Sequence, residues 1–171
     1  TAGIRSTGGA TELRDHEPAE DAVAVAAIRS AGAVVFGKTN VPRWSGDYQT
    51  TNEMFGTTNN PWDIERTPGG SSGGPAAAVA MGFTGFEIGT DIGGSIRVPS
   101  SFCGVYGHKP SFGIIPTYGY LDNPTSHRNV ADIEILLPVP DQWRVLGASG
   151  RAAPTEPIPL DRLAMEPDQP I

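Results

Sequence analysis

Two serines in glycine-rich stretches are the residues of this sequence best suited to covalent chemistry. Ser71 stands in PGGSSGG (68–74), followed by a second serine, Ser72, and Ser95 follows two glycines in GTDIGGSIR (89–97). Glycine permits positive φ and close backbone approach, so successive amide N–H groups can turn toward one anion. A hydroxyl beside such amides suits acyl transfer, because they can hold the oxygen that becomes negative when a carbonyl is attacked.

An upstream stretch matches the phosphate-loop pattern, but the residues around it argue against that site. GAVVFGKT (32–39) fits G-x-x-x-x-G-K-[ST] letter for letter. The intervening Ala-Val-Val-Phe indicates a strand rather than an amide-lined loop, and Pro42 breaks the helix that should begin at Lys38. The end of a helix followed by a strand explains these residues, so we predict no nucleotide-binding site here.

The first serine stretch also matches the nucleophile elbow of α/β-hydrolases. GGSSG (69–73) fits G-x-S-x-G, a motif that must follow directly on a strand. The preceding residues, NNPWDIERTP, do not form a strand pattern. An esterase using Ser71, with His108 or His127 as the base, therefore remains a minor alternative.

Composition and charge argue against several classes of function. The 171-residue chain has a formal net charge of −7 and no basic stripe, so we expect no nucleic-acid partner. No stretch approaches the roughly 20 apolar residues of a membrane span. A single cysteine, Cys103, cannot form an internal disulfide, which fits a cytoplasmic location. The first residue is Thr1 rather than Met, so we expect a processed chain or a piece of a longer one.

Helix and strand patterns alternate along the chain. Residues 18–31 predict a helix, with a proline at the start, acidic residues in the first turn and glycine after the end. Apolar runs at 33–37 and 86–89 predict short buried strands, and the alanine-rich segment 75–82 predicts a second helix. We interpret 100–107 as a helical turn. Such alternation is typical of an α/β fold.

The end of the chain differs in composition from the rest. Prolines, Ala-Ser-Gly runs and scattered charges without a sustained period predict a poorly ordered or weakly docked tail at 138–171. We therefore divide the chain into a core at 1–137 and this divergent tail.

Four stretches of the core together resemble the amidase signature family. The longest is TPGGSSGGPAAAVAMGFTGFEIGTDIGGSIRVPSSFCGVYGHKPSFG (67–113). Upstream of it, AGAVVFGKTNVPRWSGD, FGTTNNPWD and the opening TAGIRSTGGATELRD are similar to the segments that lead to the family's signature. The resemblance covers residues 1–137, and its signature is long and specific. It implies part of a large mixed sheet flanked by helices, an α/β fold that is incomplete here.

The resemblance implies a Ser–Ser–Lys hydrolase. Ser95 matches the nucleophile that accepts the acyl group, and Ser71 matches the bridging serine that relays a proton. The peptide bond between Gly70 and Ser71 is expected to be cis, as in the family. The backbone amides that match the oxyanion hole are those of Ile92, Gly93, Gly94 and Ser95.

Three further residues are expected to support these groups. Ser72 is expected to support the backbone beside Ser71. Asp91 and Arg97 are expected to brace the loop before Ser95, as an ion pair or through contacts with its amides. Direct substrate binding by this pair is the less favoured alternative.

The catalytic lysine of the family has no match in this sequence. In the family it lies in a Lys-Asp motif a few residues before the segment that begins here at Thr1. Lys38 and Lys109 match other lysines of the family pattern, so neither is expected to be the catalytic base. After NVADIEIL the sequence departs from the family pattern.

The leading hypothesis is therefore an amidase that hydrolyses the C–N bond of a small-molecule carboxylic acid amide through an acyl-enzyme on Ser95. The resemblance implies no metal and no organic cofactor. We expect the chain alone to be inactive, because it lacks the lysine and much of the sheet. A non-catalytic remnant of an amidase and the esterase that uses Ser71 are the alternatives.

Overall fold

The computed structural model describes residues 1–111, 113–120 and 132–137. Three α-helices and five β-strands lie in these ranges. The helices are α1 (Val23–Ser30), α2 (Gly73–Ala80) and α3 (Arg97–Cys103). The strands are β1 (Thr51–Asn52), β2 (Gly56–Thr57), β3 (Glu87–Asp91), β4 (Tyr106–His108) and β5 (Asp132–Leu137), and two short 3₁₀-helices cover Thr11–Leu13 and Arg43–Ser45.

The larger sheet has the strand order β3-β5-β4, and β5 pairs antiparallel with both neighbours. Asp91 at the end of β3 lies opposite Asp132, and His108 at the end of β4 lies opposite Ile135. Strands β3 and β4 therefore run in the same direction. The residues that follow these two strands leave the sheet at the same end. A separate two-stranded hairpin joins β1 and β2.

The buried core lies between α2 and α3. All eight residues of α2 are buried, and their small side chains allow neighbouring backbones to approach closely. The helix tolerates Pro75 because the first turn has no intrahelical partner for its N–H groups. The core cluster consists of Ala76, Val79, Ala80, Ile96, Cys103 and Val105.

The structure confirms several predicted elements and changes their bounds. The helix predicted at 18–31 is α1, which begins only at Val23, and Gly32 follows it with a φ of 93°. The helix predicted at 75–82 is α2, and the strand predicted at 86–89 is β3. The chain has the α/β character that its sequence predicts.

Two predictions need correction. The run 33–37 forms no strand in the described part of the chain, and the side chains of Val34 and Phe36 are 83% and 75% exposed. A strand needs a second backbone for its ladder, and no described strand pairs with this run. The segment interpreted as a helical turn at 100–107 instead contains the end of α3, a left-handed Gly104 and β4.

The tail predicted at 138–171 lies outside the described residues. Among those that are described, no helix is long and apolar enough to cross a membrane.

Candidate active site

The fold brings the two glycine–serine stretches together. The backbone N–H of Ser72 donates to the backbone oxygen of Ser95 over 3.1 Å. The hydroxyl of Ser72 accepts a hydrogen bond from the amide of Thr90 over 3.3 Å. Ser72 thus holds the start of α2 against the end of β3, in keeping with the supporting role expected for it. Ser71 is 2% exposed and Ser95 is half-buried.

Close packing explains the glycines that precede Ser71. Gly69 has a φ of 81°, and a Cβ atom there would lie 2.9 Å from the Cα of Pro99. A Cβ on Gly70 would lie 2.6 Å from the backbone oxygen of Asp47. Side chains larger than hydrogen therefore do not fit at either position. The peptide bond between Gly70 and Ser71 is cis, as the resemblance implies.

Asp91 organises the loop between β3 and α3. Its side chain is fully buried, and its carboxylate accepts hydrogen bonds from the amides of Gly94 (2.8 Å), Ile96 (3.1 Å) and Arg97 (3.3 Å). Burial alone would raise the pKa of Asp91, but the hydrogen bonds from Arg97 and from these amides lower the pKa to about 2. The carboxylate is therefore ionised at neutral pH.

The ion pair expected between Asp91 and Arg97 is present. The Arg97 guanidinium donates from Nε to Oδ2 over 3.0 Å and from Nη2 to Oδ1 over 2.9 Å. This bidentate geometry fixes the orientation of the guanidinium relative to the carboxylate, in addition to pairing their charges. The side chain of Arg97 is 56% exposed while that of Asp91 is buried, so the pair connects the loop interior with its surface.

The amides of the loop fall into two groups. The amide of Gly94 is engaged by the Asp91 carboxylate. The amides of Ile92, Gly93 and Ser95 donate no hydrogen bond to an acceptor among the residues that the structure describes. Ile92 is 48% exposed. Three amides beside the Ser95 hydroxyl are thus open to an external acceptor.

Two residues that sequence reasoning did not place in the site bind the carbonyl groups of this loop. Lys109 donates from Nζ to the backbone oxygen of Asp91 over 2.8 Å, and the hydroxyl of Tyr48 donates to the backbone oxygen of Gly93 over 2.9 Å. Neither residue belongs to a glycine–serine motif. The one signal for Lys109 is its position directly after β4, because the sheet brings the ends of β3 and β4 to one edge.

The other polar candidates lie in different surroundings. The amine of Lys38 donates to the hydroxyl of Ser6 over 2.7 Å, and burial lowers the pKa of Lys38. His108 is exposed on β4, and no hydrogen bond joins it to Ser71. His127 lies outside the described residues. In the described ranges, no cluster of three or more His, Cys, Asp or Glu side chains could hold a metal ion.

A large cleft lies apart from Ser71 and Ser95. It lies between the run 33–41 and β3, and its lining includes Lys38, Ser72, Glu87 and Thr90 but neither Ser71 nor Ser95. Burial raises the pKa of Glu87 to about 7. We place the candidate active site at the two glycine–serine stretches, because the hydrogen bond from Ser72 to Ser95 joins them.

The sequence of the chain matches a family of known proteins. The family model described as Amidase matches residues 1–133. The chain belongs to the amidase family. Among its curated relatives is a glutamyl-tRNA(Gln) amidotransferase subunit of Sulfolobus acidocaldarius, which is 43% identical over 153 residues, 84% of this chain and 32% of that protein.

A second amidase-family relative aligns further along the chain. The corresponding glutamyl-tRNA(Gln) amidotransferase subunit of Moorella thermoacetica is 41% identical over 174 residues, which cover 98% of this chain and 35% of that protein. The alignment therefore runs into the tail, where the sequence departs from the family pattern that precedes it. The chain spans about a third of the length of these two relatives.

Solved structures of amidases share the α/β fold. The glutamyl-tRNA(Gln) amidotransferase subunit of Thermotoga maritima is 38% identical with a TM-score of 0.71, covering 80% of this chain and 30% of that one. A 6-aminohexanoate cyclic dimer hydrolase with bound substrate is 34% identical with a TM-score of 0.75, covering 81% of this chain and 29% of that one.

Proposed function

We propose that the complete protein is an amidase that hydrolyses a carboxylic acid amide through an acyl-enzyme on Ser95. The observation that carries this proposal is a set of three amides at the nucleophile position, those of Ile92, Gly93 and Ser95, which donate to no acceptor in the described part of the chain. Such amides stabilise the negative oxygen that forms when a hydroxyl attacks a carbonyl. Membership of the amidase family supports the same chemistry.

The proposed reaction has two steps. In the first, Ser95 Oγ attacks the carbonyl carbon, its proton passes to Ser71, and the C–N bond breaks as the leaving amine receives a proton through Ser71. In the second, water attacks the ester carbon, gives up a proton along the same route, and releases the carboxylic acid together with the restored Ser95 hydroxyl. Both steps pass through a negative oxygen at the same place, so one set of amides serves both.

The roles of the loop residues follow from their contacts. Because the Gly94 amide already donates to Asp91, we propose that it stabilises the conformation of the loop. The proposed oxyanion hole then consists of the amides of Ile92, Gly93 and Ser95. The buried position of Ser71, and the bond from Ser72 to Ser95, support Ser71 as the relay.

We do not assign Lys38 as the base for Ser71, because its amine donates to Ser6 and no hydrogen bond joins it to Ser71. We propose that the base is the lysine that the resemblance places before Thr1. The cytoplasmic location and the small-molecule substrate expected from the sequence remain part of this proposal.

The test is performed on the full-length protein with a panel of aryl and alkyl amides that includes primary amides, because two curated relatives are named as parts of an amidotransferase. Ser95→Ala should lower turnover by several orders of magnitude, as expected when a covalent step is lost. Arg66→Met is the matched control, because the exposed Arg66 side chain pairs with Asp63 and forms no hydrogen bond with Ser71 or Ser95. Ser95→Ala turnover within tenfold of the wild type would refute the proposal.

Labelling with a fluorophosphonate and mapping the modified peptide separates the alternatives. Label on Ser95 supports the amidase mechanism. Label on Ser71 supports the esterase alternative, and a protein that takes up no label and turns over no amide is the non-catalytic remnant.

A further inference from the structure

Lys109 lies behind the loop that carries the open amides. It follows β4 directly, and its ammonium donates to the backbone oxygen of Asp91 over 2.8 Å. The same nitrogen lies 4.0 Å from Asp91 Oδ1, and the Lys109 side chain is 26% exposed. The ammonium thus contacts the last residue of β3 just before the chain turns toward Ser95.

The position of one carbonyl fixes the direction of the next amide. The bond between Asp91 and Ile92 is trans, and in a trans peptide the C=O and the following N–H point in opposite directions. Lys109 holds the Asp91 oxygen on its own side of the loop. The Ile92 N–H must therefore point away from Lys109, and no acceptor among the described residues receives it.

A second peptide of the same loop shows the same arrangement with its amide engaged. Tyr48 holds the oxygen of Gly93, and the N–H at the other side of that peptide, on Gly94, donates to the Asp91 carboxylate. Alternate peptides of the loop are thus each fixed through their carbonyls. The difference is that the Gly94 amide meets a protein acceptor, whereas the Ile92 amide meets none among the described residues.

The charge on Lys109 adds to the effect of its position. A hydrogen bond from an ammonium to a carbonyl is charge-assisted, and it polarises the peptide so that the N–H on the other side becomes a stronger donor. An amide polarised in this way stabilises a negative oxygen better than an amide whose carbonyl meets a neutral donor.

We propose that Lys109 is a positioning residue for amide hydrolysis, which orients and polarises the Ile92 amide toward the oxyanion on the substrate. The inference rests on the proposed function of Ser95. Lys109 touches neither the substrate nor the reacting atoms, and it acts through the Asp91–Ile92 peptide.

Three variants of the full-length protein test this role. Lys109→Met removes donor and charge, Lys109→Gln keeps a neutral donor, and Lys109→Arg keeps both. Arg66→Met is again the matched control for loss of a cation. The measurements are kcat and KM on one amide, the inhibition constant of a trifluoromethyl ketone that mimics its acyl group, and the thermal midpoint of each variant.

We expect Lys109→Met to weaken stabilisation of the transition state and to leave substrate binding nearly unchanged. Loss of a direct oxyanion donor costs about 10²- to 10³-fold in kcat, so we expect about 10- to 100-fold for Lys109→Met, with KM changed less than about threefold. The trifluoromethyl ketone forms a negative oxygen at the serine, so its binding should weaken in parallel. Lys109→Arg should recover most of the activity, and Lys109→Gln only part of it.

Several outcomes would overturn the inference. One is a Lys109→Met variant with kcat close to the wild type. Another is a loss of kcat that leaves the affinity for the trifluoromethyl ketone unchanged, because a merely structural role would give that result. If Lys109→Met does not fold, equal kcat in the Lys109→Gln and Lys109→Arg variants would refute the role of the charge.

The Ser95→Ala variant distinguishes failure of this inference from failure of the proposed function. Activity retained in Ser95→Ala overturns both. An inactive Ser95→Ala protein together with a fully active Lys109→Met protein overturns the role of Lys109 alone.

Discussion

The guanidinium of Arg97 binds the fully buried carboxylate of Asp91 through two hydrogen bonds, of 3.0 and 2.9 Å. That carboxylate also accepts hydrogen bonds from the amides of Gly94 and Ile96. The Asp91 side chain therefore fixes both the start of α3 and the turn before it. Removing the guanidinium would leave the buried carboxylate with fewer charged donors around it.

We therefore expect Arg97→Met to lower the free energy of unfolding by about 1.5 to 3 kcal/mol, the range for hydrogen bonds to charged groups. The half-exposed guanidinium places the effect toward the lower end of that range, because solvent screens its charge. Chemical denaturation of the 171-residue chain measures the change. Arg66→Met should cost less than about 1 kcal/mol, since its ion pair is exposed. Equal losses in the two variants would contradict the special role of Arg97.

The second prediction concerns the pH dependence of stability. Burial raises the pKa of Glu87 from 4.5 to about 7, so the folded chain keeps the proton at a pH where the unfolded chain has lost it. The stability that protonated Glu87 contributes is fully present below pH 4.5 and is lost as the pH rises through about 7. The wild-type free energy of unfolding should therefore fall over this interval relative to that of Glu87→Gln.

Denaturation of both proteins at closely spaced pH values measures that difference. Glu65→Gln is the control, because Glu65 is exposed and should leave the slope of the wild type in place. A difference between wild type and Glu87→Gln that stays constant from pH 4.5 to 7 would show that Glu87 ionises normally.

The third prediction concerns the backbone beside Ser71. Gly70→Ala places a methyl group 2.6 Å from the backbone oxygen of Asp47, and neither backbone segment can move without disturbing the serine stretch. We expect a loss of at least about 2 kcal/mol in the free energy of unfolding. Gly85→Ala provides the comparison, because nothing lies within 4 Å of a Cβ there, and it should change stability by less than about 0.5 kcal/mol.

The fourth prediction is that the 171-residue chain does not hydrolyse amides at a useful rate. The amine of Lys38 is held by Ser6, and a serine without a base is a weak nucleophile at neutral pH. The assay compares the purified chain with its own Ser95→Ala variant on aryl and alkyl amides. Turnover clearly above that of the variant would mean that Lys38 or Lys109 can serve as the base.

Contacts within the site between residues that are close in sequence could be predicted from the sequence. Asp91 and Arg97 are six positions apart, and the turn between β3 and α3 brings them together, so their ion pair followed from local pattern. The cis bond before Ser71 was available only through the family resemblance. Lys109 and Tyr48 were missed because they reach the loop through sheet pairing and loop packing, which no local motif encodes.

The wrong and missing strand predictions have a related cause. The apolar run at 33–37 predicted a strand, but a strand exists only beside another backbone, and apolarity carries no information about that partner. Strand β5 was not predicted, although DIEILL at 132–137 alternates acidic and apolar residues before its final pair of leucines. That alternation was the signal that could have found it.

The strand order gives β5 a role at some distance from the serines. Neighbouring strands lie about 4.8 Å apart, so the strand between β3 and β4 separates their backbones by about 10 Å. Lys109 must bridge that width to reach Asp91. Strand β5 therefore sets the distance between Lys109 and Asp91. An inserted residue in β5 would disturb the proposed oxyanion site, although the strand shares no motif with it.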